Sequence, residues 1–200
     1  MQATSWIYFG YLKIKEIKYP QRQKDIDEQY DSKSVCLDVY VEDDENTVCN
    51  IEIQTTSSKN LPKWMRYYQG IIDMHTISKG SNYKELKKSF VIFICTFDPF
   101  GENRPIYTFE NTCRENKDLM LNDGALKVIV NVEGTVGNIS SEFKAVLDYI
   151  AKEIADTDYT RSLDNPVEKV RNDEECRQAV VYDTIVHLWD VSNMIALNLQ

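Results

Sequence analysis

Six consecutive apolar, β-prone residues, Phe90-Val91-Ile92-Phe93-Ile94-Cys95, limit what this chain can fold into more than any other stretch. A strand with one wet face alternates apolar and polar side chains, whereas an unbroken apolar run marks a strand covered on both faces. Leu126 to Val132 reads as a second strand of this kind. Sheets covered on both sides are covered by helices, so the class is α/β or α+β, with a mixed central sheet flanked by helices.

The remaining segments fit that frame. Pro105 to Phe109 reads as a short strand, and Asp98-Pro99-Phe100-Gly101 and Asn122-Asp123-Gly124 as turns. Pro62, with Asn60 as a cap before it, opens a helix whose apolar positions Trp64, Tyr68, Ile71, Ile72 and His75 recur at three- and four-residue steps; it ends by Gly80. Lys63, Arg66, Gln69 and Asp73 fall largely on its other side. Tyr83 to Leu86 suits a helical turn. Ser140 or Ser141 can cap a second helix with the stripe Phe143, Val146, Leu147, Ile150 and Ile154. Trp6 to Ile17 suits a strand or helix, Pro20 to Ser34 a loop or a poor helix over Lys24 to Tyr30, and Val167 to Leu199 one or two helices. The organisation expected is a divergent or truncated segment over 1–34, a domain over 35–160 and a C-terminal helical extension over 161–200.

Composition narrows the function classes. The chain has 200 residues, 42% of them hydrophobic, and can build a full core. Five scattered cysteines without a Cys-x-x-Cys pair suit buried reduced thiols, and two histidines exclude a His-rich zinc site. No apolar run is long enough to span a bilayer, and Met1 to Ser5 lacks the basic start of a secretion signal. A soluble cytoplasmic protein is expected. The net charge of −9 opposes general nucleic-acid affinity, yet Thr55 to Phe90 holds seven basic residues against two acidic ones.

The chemistry-bearing stretch is Leu37 to Gln54. Its flanks are β-branched and aromatic, and Glu42-Asp43-Asp44-Glu45-Asn46 between them is a turn, which makes a β-hairpin. Centring the turn on Glu45 pairs residues whose numbers sum to 90, setting Val41 against Cys49 and Asp38 against Glu52. Gln54, two residues beyond Glu52, shares that face. Two carboxylates directly opposite repel unless neutralised. A divalent cation between them is the natural remedy, and hard oxygen ligands suit Mg²⁺.

Several pieces, in order, resemble the recombination-promoting nuclease and transposase branch of the PD-(D/E)XK nuclease superfamily. They are Leu37-Asp38-Val39-Tyr40, Asn50-Ile51-Glu52-Ile53-Gln54, Arg66-Tyr67-Tyr68-Gln69, and Lys79-Gly80 with Tyr83 and Leu86. Val91 to Cys95 then runs into Phe97-Asp98-Pro99-Phe100-Gly101, and Tyr107 to Cys113, Asp123-Gly124 and Lys127 to Asn131 follow. The resemblance spans about Lys33 to Val132 and weakens toward Tyr182. It implies a restriction-endonuclease-like core with Asp38 and Glu52 as metal ligands and catalytic carboxylates. The Ile53 carbonyl would complete the protein shell around Mg²⁺, or Mn²⁺. Gln54 stands where the wider superfamily has lysine, as is common in this branch. Lys63, Arg66 and Gln69 would contact DNA or support the site. The implied activity is Mg²⁺-dependent DNA endonuclease chemistry in recombination or transposition, and double-strand cleavage with one site per chain makes a homodimer reasonable. The alternative is a catalytically weak or inactive remnant of a mobile element, acting as a DNA-binding or interaction module. The acidic total charge, Gln54 and the lack of the family's usual flanking helical segments favour it.

Overall fold

The computed structural model describes residues 24–26, 35–37, 39–42, 47–152 and 161. Expectations for the rest of Met1 to Ser34, for Asp38, for the acidic turn, for Ile154 and for the helices of the C-terminal extension therefore lie outside the described residues.

The first elements are the short strands β1 (Lys24–Ile26) and β2 (Val35–Leu37), paired antiparallel with Asp25 facing Cys36. Over Lys24–Ile26 this corrects the loop or poor helix expected there. Strand pairing supplies backbone partners for a segment whose side chains carry little β signal, so tertiary context overrides propensity.

The main sheet has five strands in the order β3-β4-β5-β7-β6. They are β3 (Val39–Glu42), β4 (Val48–Gln54), β5 (Ser89–Cys95), β6 (Ile106–Phe109) and β7 (Ala125–Asn131). β3 and β4 form the antiparallel hairpin, in which Val39 faces Ile51 and Val41 faces Cys49, the register that a sum of 90 requires. β4, β5 and β7 run parallel, and β6 closes the edge antiparallel to β7. Parallel neighbours need a crossover, and helix α1 (Leu61–Thr76) provides the one from β4 to β5. Helix α2 (Ser141–Lys152) follows the sheet.

Every residue of β5 is buried, as its unbroken apolar run requires. Its alternate side chains feed two cores. On one face Phe90, Ile92 and Ile94 join Cys49, Ile51, Val128 and Val130 beneath Phe143, Val146 and Leu147 of α2. On the other, Val91, Phe93 and Cys95 join Val48 and Ile129 beneath Leu61, Met65 and Ile72 of α1. The result is a restriction-endonuclease-like α/β core, a mixed sheet between helices. No helix among the described residues is long and apolar enough to cross a membrane.

The Ser140 cap is present, its Oγ accepting from the Phe143 backbone N–H at 3.1 Å. The stripe of α1 is rotated from the expected one. Leu61, Met65, Gln69 and Ile72 are its buried residues, while Trp64 and His75 are exposed. Gln69 thus turns inward, and its amide donates to Ser89 Oγ at the start of β5 and to Asp73 Oδ1. These two bonds satisfy the amide nitrogen in its core position, while Gln69 Oε1 is buried without a hydrogen-bond partner among the described residues.

The loop after β5 is tied down by Asp98, which accepts from the Phe100 N–H at 3.0 Å, the Asn103 N–H and the Tyr107 hydroxyl at 2.9 Å. Partial burial of Asp98 opposes its charge. The hydrogen bonds from Phe100, Asn103, Tyr107 and Gly101 outweigh that and hold its carboxyl below the usual range. Beyond β7, Gly134 passes so close to the strand β6 entry that a Cβ there would stand 2.3 Å from the Pro105 nitrogen. Only glycine fits.

Candidate active site

β4 carries Asn50, Glu52 and Gln54 on one face by the two-residue repeat of a strand. By sequence that face is polar. In the structure α1 covers the sheet on this side, and Asn50 is 0% and Glu52 4% exposed. Gln54, at the C-terminal end of the strand, is half-buried and aligned with Cys95 of β5. Glu52 aligns with Phe93, whose ring is fully buried.

The Asn50 amide nitrogen donates to Glu52 Oε1 at 3.2 Å. An ionised carboxylate only accepts, so this bond fixes which arm of the amide faces Glu52. The other arm, Asn50 Oδ1, is buried and has no hydrogen-bond partner among the described residues. Ile53 points its side chain the other way, against the α2 core.

The remaining sequence candidates are distributed as follows. Lys63 and Arg66 are exposed on α1, as are Lys59, Lys79, Lys84 and Lys88 elsewhere in the basic stretch. Gln69 leaves that surface for Ser89. Ser89 lies four positions before Phe93 on β5, about 13 Å along the strand from the level of Glu52 at roughly 3.3 Å per residue. Gln69 therefore holds α1 to the start of β5 rather than touching the Glu52 carboxylate.

Two other ionisable groups lie on the α1 side of the sheet. Burial raises the Asp73 carboxyl above its ordinary value and Asp123 adds to the rise, while the Gln69 hydrogen bond and Lys127 oppose it. Burial pushes the Cys95 thiol up to about 12, which leaves it protonated and unreactive. Cys49 and Cys95 are both buried in the core, where their place in apolar runs puts them.

Among the described residues no three His, Cys, Asp or Glu side chains gather into a metal-ligating cluster. The donors that β4 brings together are oxygens: the Glu52 carboxylate, the Asn50 and Gln54 amide oxygens and the strand's own carbonyls. An all-oxygen set with an orphaned buried oxygen suits a hard divalent cation, and does not suit zinc or copper.

An acid on the second strand of a hairpin, in a mixed sheet between helices, fits the restriction-endonuclease-like core that the ordered motifs imply. Comparison with protein-family models decides the matter: the model for the PD-(D/E)XK nuclease family transposase matches residues 7–123. This chain belongs to that family. The match begins well ahead of Lys33, where the resemblance of individual motifs starts, so the family likeness reaches into the segment expected to be divergent. It takes in β3 and β4, α1, β5 and β6, and ends just before β7. No curated protein and no solved structure matches the chain. Membership in a PD-(D/E)XK nuclease family makes a nuclease- or transposase-like function the chain's class, with DNA as the substrate that class implies and divalent metals as its usual cofactors.

Asn50 is the site residue that sequence reasoning missed. In the sequence it stands only as part of the Asn50 to Gln54 motif, and its signal is positional: an amide two residues before the acid must share the acid's face.

Proposed function

We propose that this chain is a Mg²⁺-dependent DNA endonuclease whose ion is held by Asp38, Glu52 and the Ile53 carbonyl. The observation that carries the reading is the burial of Glu52 on the α1 face of β4, with Asn50 bonded to it. A buried carboxylate is unfavourable unless it is hydrogen-bonded and its charge compensated, and buried ionisable groups of this kind gather at functional sites. Continuing the sum of 90 by one residue beyond Val39 would set Asp38 against Glu52. When bound, the cation supplies a water of lowered pKa and stabilises charge developing on the attacked phosphate.

The chain's own residues do the rest. Glu52 and Asp38 supply the negative charge that holds the ion. Gln54 orients the water or the phosphate by hydrogen bonding, since an amide offers both donors and an acceptor but no charge. Lys63 and Arg66 lie exposed on α1 and meet the DNA backbone as cations that neutralise phosphates. A homodimer would bring two such sites to the two strands of a duplex.

The second reading, a folded remnant that binds DNA or a partner without cutting, is favoured by one observation. Gln54 stands where a lysine would place a fixed charge. Incubating supercoiled plasmid with the purified chain separates the two readings. Nicking that needs Mg²⁺ or Mn²⁺ and disappears in Glu52→Gln supports the endonuclease, and intact plasmid at every metal concentration supports the remnant.

A further inference from the structure

We propose that Asn50 is a positioning residue for the divalent-cation site, holding the Glu52 carboxylate with one arm of its amide and taking up a water beside the ion with the other. The inference rests on the reading of Glu52 as a cation ligand and extends it to a residue with no charge of its own.

Three observations carry it. Asn50 is completely buried, and it lies on the face of β4 on which its neighbour Val48 joins the core of Val91, Phe93 and Met65. In register it sits beside Val91 of β5. A valine or isoleucine at such a position packs better and adds strand propensity, so the amide contributes nothing to packing that an apolar residue would not improve. One N–H of its amide donates to Glu52 Oε1 at 3.2 Å. Its oxygen, buried and without a partner among the described residues, has an unmet capacity to accept two hydrogen bonds.

A buried amide with one arm on a carboxylate and the other unsatisfied is placed to fix that carboxylate's rotamer. Residues that orient metal ligands in this way raise affinity without touching the metal, and their loss typically weakens it about 10- to 100-fold. A hydrated ion held by Glu52 would offer that bare oxygen a donor, since the waters of a cation present their hydrogens outward.

The test measures Mn²⁺ affinity of the full chain by titration calorimetry, alongside the melting temperature without metal, for wild type, Asn50→Val, Asn50→Ala and Glu52→Gln. Asn50→Val keeps the strand and Asn50→Ala removes any risk of overpacking. The expected result is that the Asn50 variants fold, that Asn50→Val melts no lower than wild type, and that both bind Mn²⁺ about 10- to 100-fold more weakly. Wild-type affinity in the Asn50 variants, with binding abolished by Glu52→Gln, overturns this inference alone. Failure of both Asn50 variants to fold also overturns it, since the amide would then be structural. Mn²⁺ binding that is absent from wild type, or that ignores Glu52→Gln, overturns the reading of the site together with the inference.

Discussion

Asn50 and Glu52 stand two residues apart on the covered face of β4, joined by a hydrogen bond of 3.2 Å from the Asn50 amide to Glu52 Oε1. The candidate chemistry is therefore inside the fold, between sheet and α1, and not on the outside of a free hairpin. Elements that look merely structural then bear on the site: α1 covers it, β5 backs it, and the loop after β5 borders the strand ends where Gln54 lies.

The packing between β5 and α2 sets how firmly that frame is held. Leu147 is completely buried beneath Phe90, Ile92 and Val130 of the sheet's α2 face. Leu147→Ala removes most of that side chain and leaves a cavity, so chemical denaturation should show a loss of about 2–5 kcal/mol.

The close approach of Gly134 to Pro105 gives a second stability prediction. A methyl group 2.3 Å from a backbone nitrogen forces one of two chain segments to move. Gly134→Ala should cost about 1–3 kcal/mol, as overpacking does. An unchanged denaturation midpoint would mean that the two segments separate freely.

Two carboxylates give opposite pH dependences. Asp98 is held below its ordinary value of 3.8, so its stabilisation is complete above that value and is lost as the pH falls through the depressed folded-state value. Asp98→Ala should melt lower than wild type at neutral pH, with the difference closing as the solution is acidified below the ordinary carboxylate range.

Asp73 runs the other way. Burial raises it above 3.8, so its charged form disfavours the fold above the raised value and the penalty disappears as the pH falls toward the ordinary one. Asn at this position keeps an acceptor for the Gln69 amide. Asp73→Asn should melt higher than wild type at neutral pH and equal to it in acid.

On DNA, Lys63 and Arg66 act as phosphate contacts in the proposed reading. Substituting both with alanine should weaken binding uniformly across sequences and lower the slope of log affinity against log salt by about 0.9 per contact on duplex. Fluorescence anisotropy across a salt series reads both quantities.

How much of this was legible in the sequence varies by element. The unbroken run at Phe90 to Cys95 announced a doubly covered strand because apolar content at every position has no other economical use. The hairpin register followed from turn chemistry and a period of two, both local. The Ser140 cap and the α2 stripe were legible for the same reason. The stripe of α1 was not. Two helical faces of similar apolar content compete there, one through Trp64 and His75 and one through Leu61 and Met65. The second wins because Gln69, polar by hydropathy, finds Ser89 twenty residues away. Burial of Asn50 and Glu52 was likewise out of reach, since it depends on α1 lying over that face. β1 was missed because its three residues become a strand only by pairing with Val35–Leu37.

The most direct test of the central claim is plasmid nicking by the purified full-length chain with Mg²⁺ or Mn²⁺, comparing wild type with Glu52→Gln, a substitution of nearly equal volume that removes the charge. The account predicts metal-dependent conversion of supercoiled to open-circular DNA by wild type, and none by Glu52→Gln, with Glu52→Gln melting no lower than wild type without metal. Nicking by Glu52→Gln at the wild-type rate would contradict it.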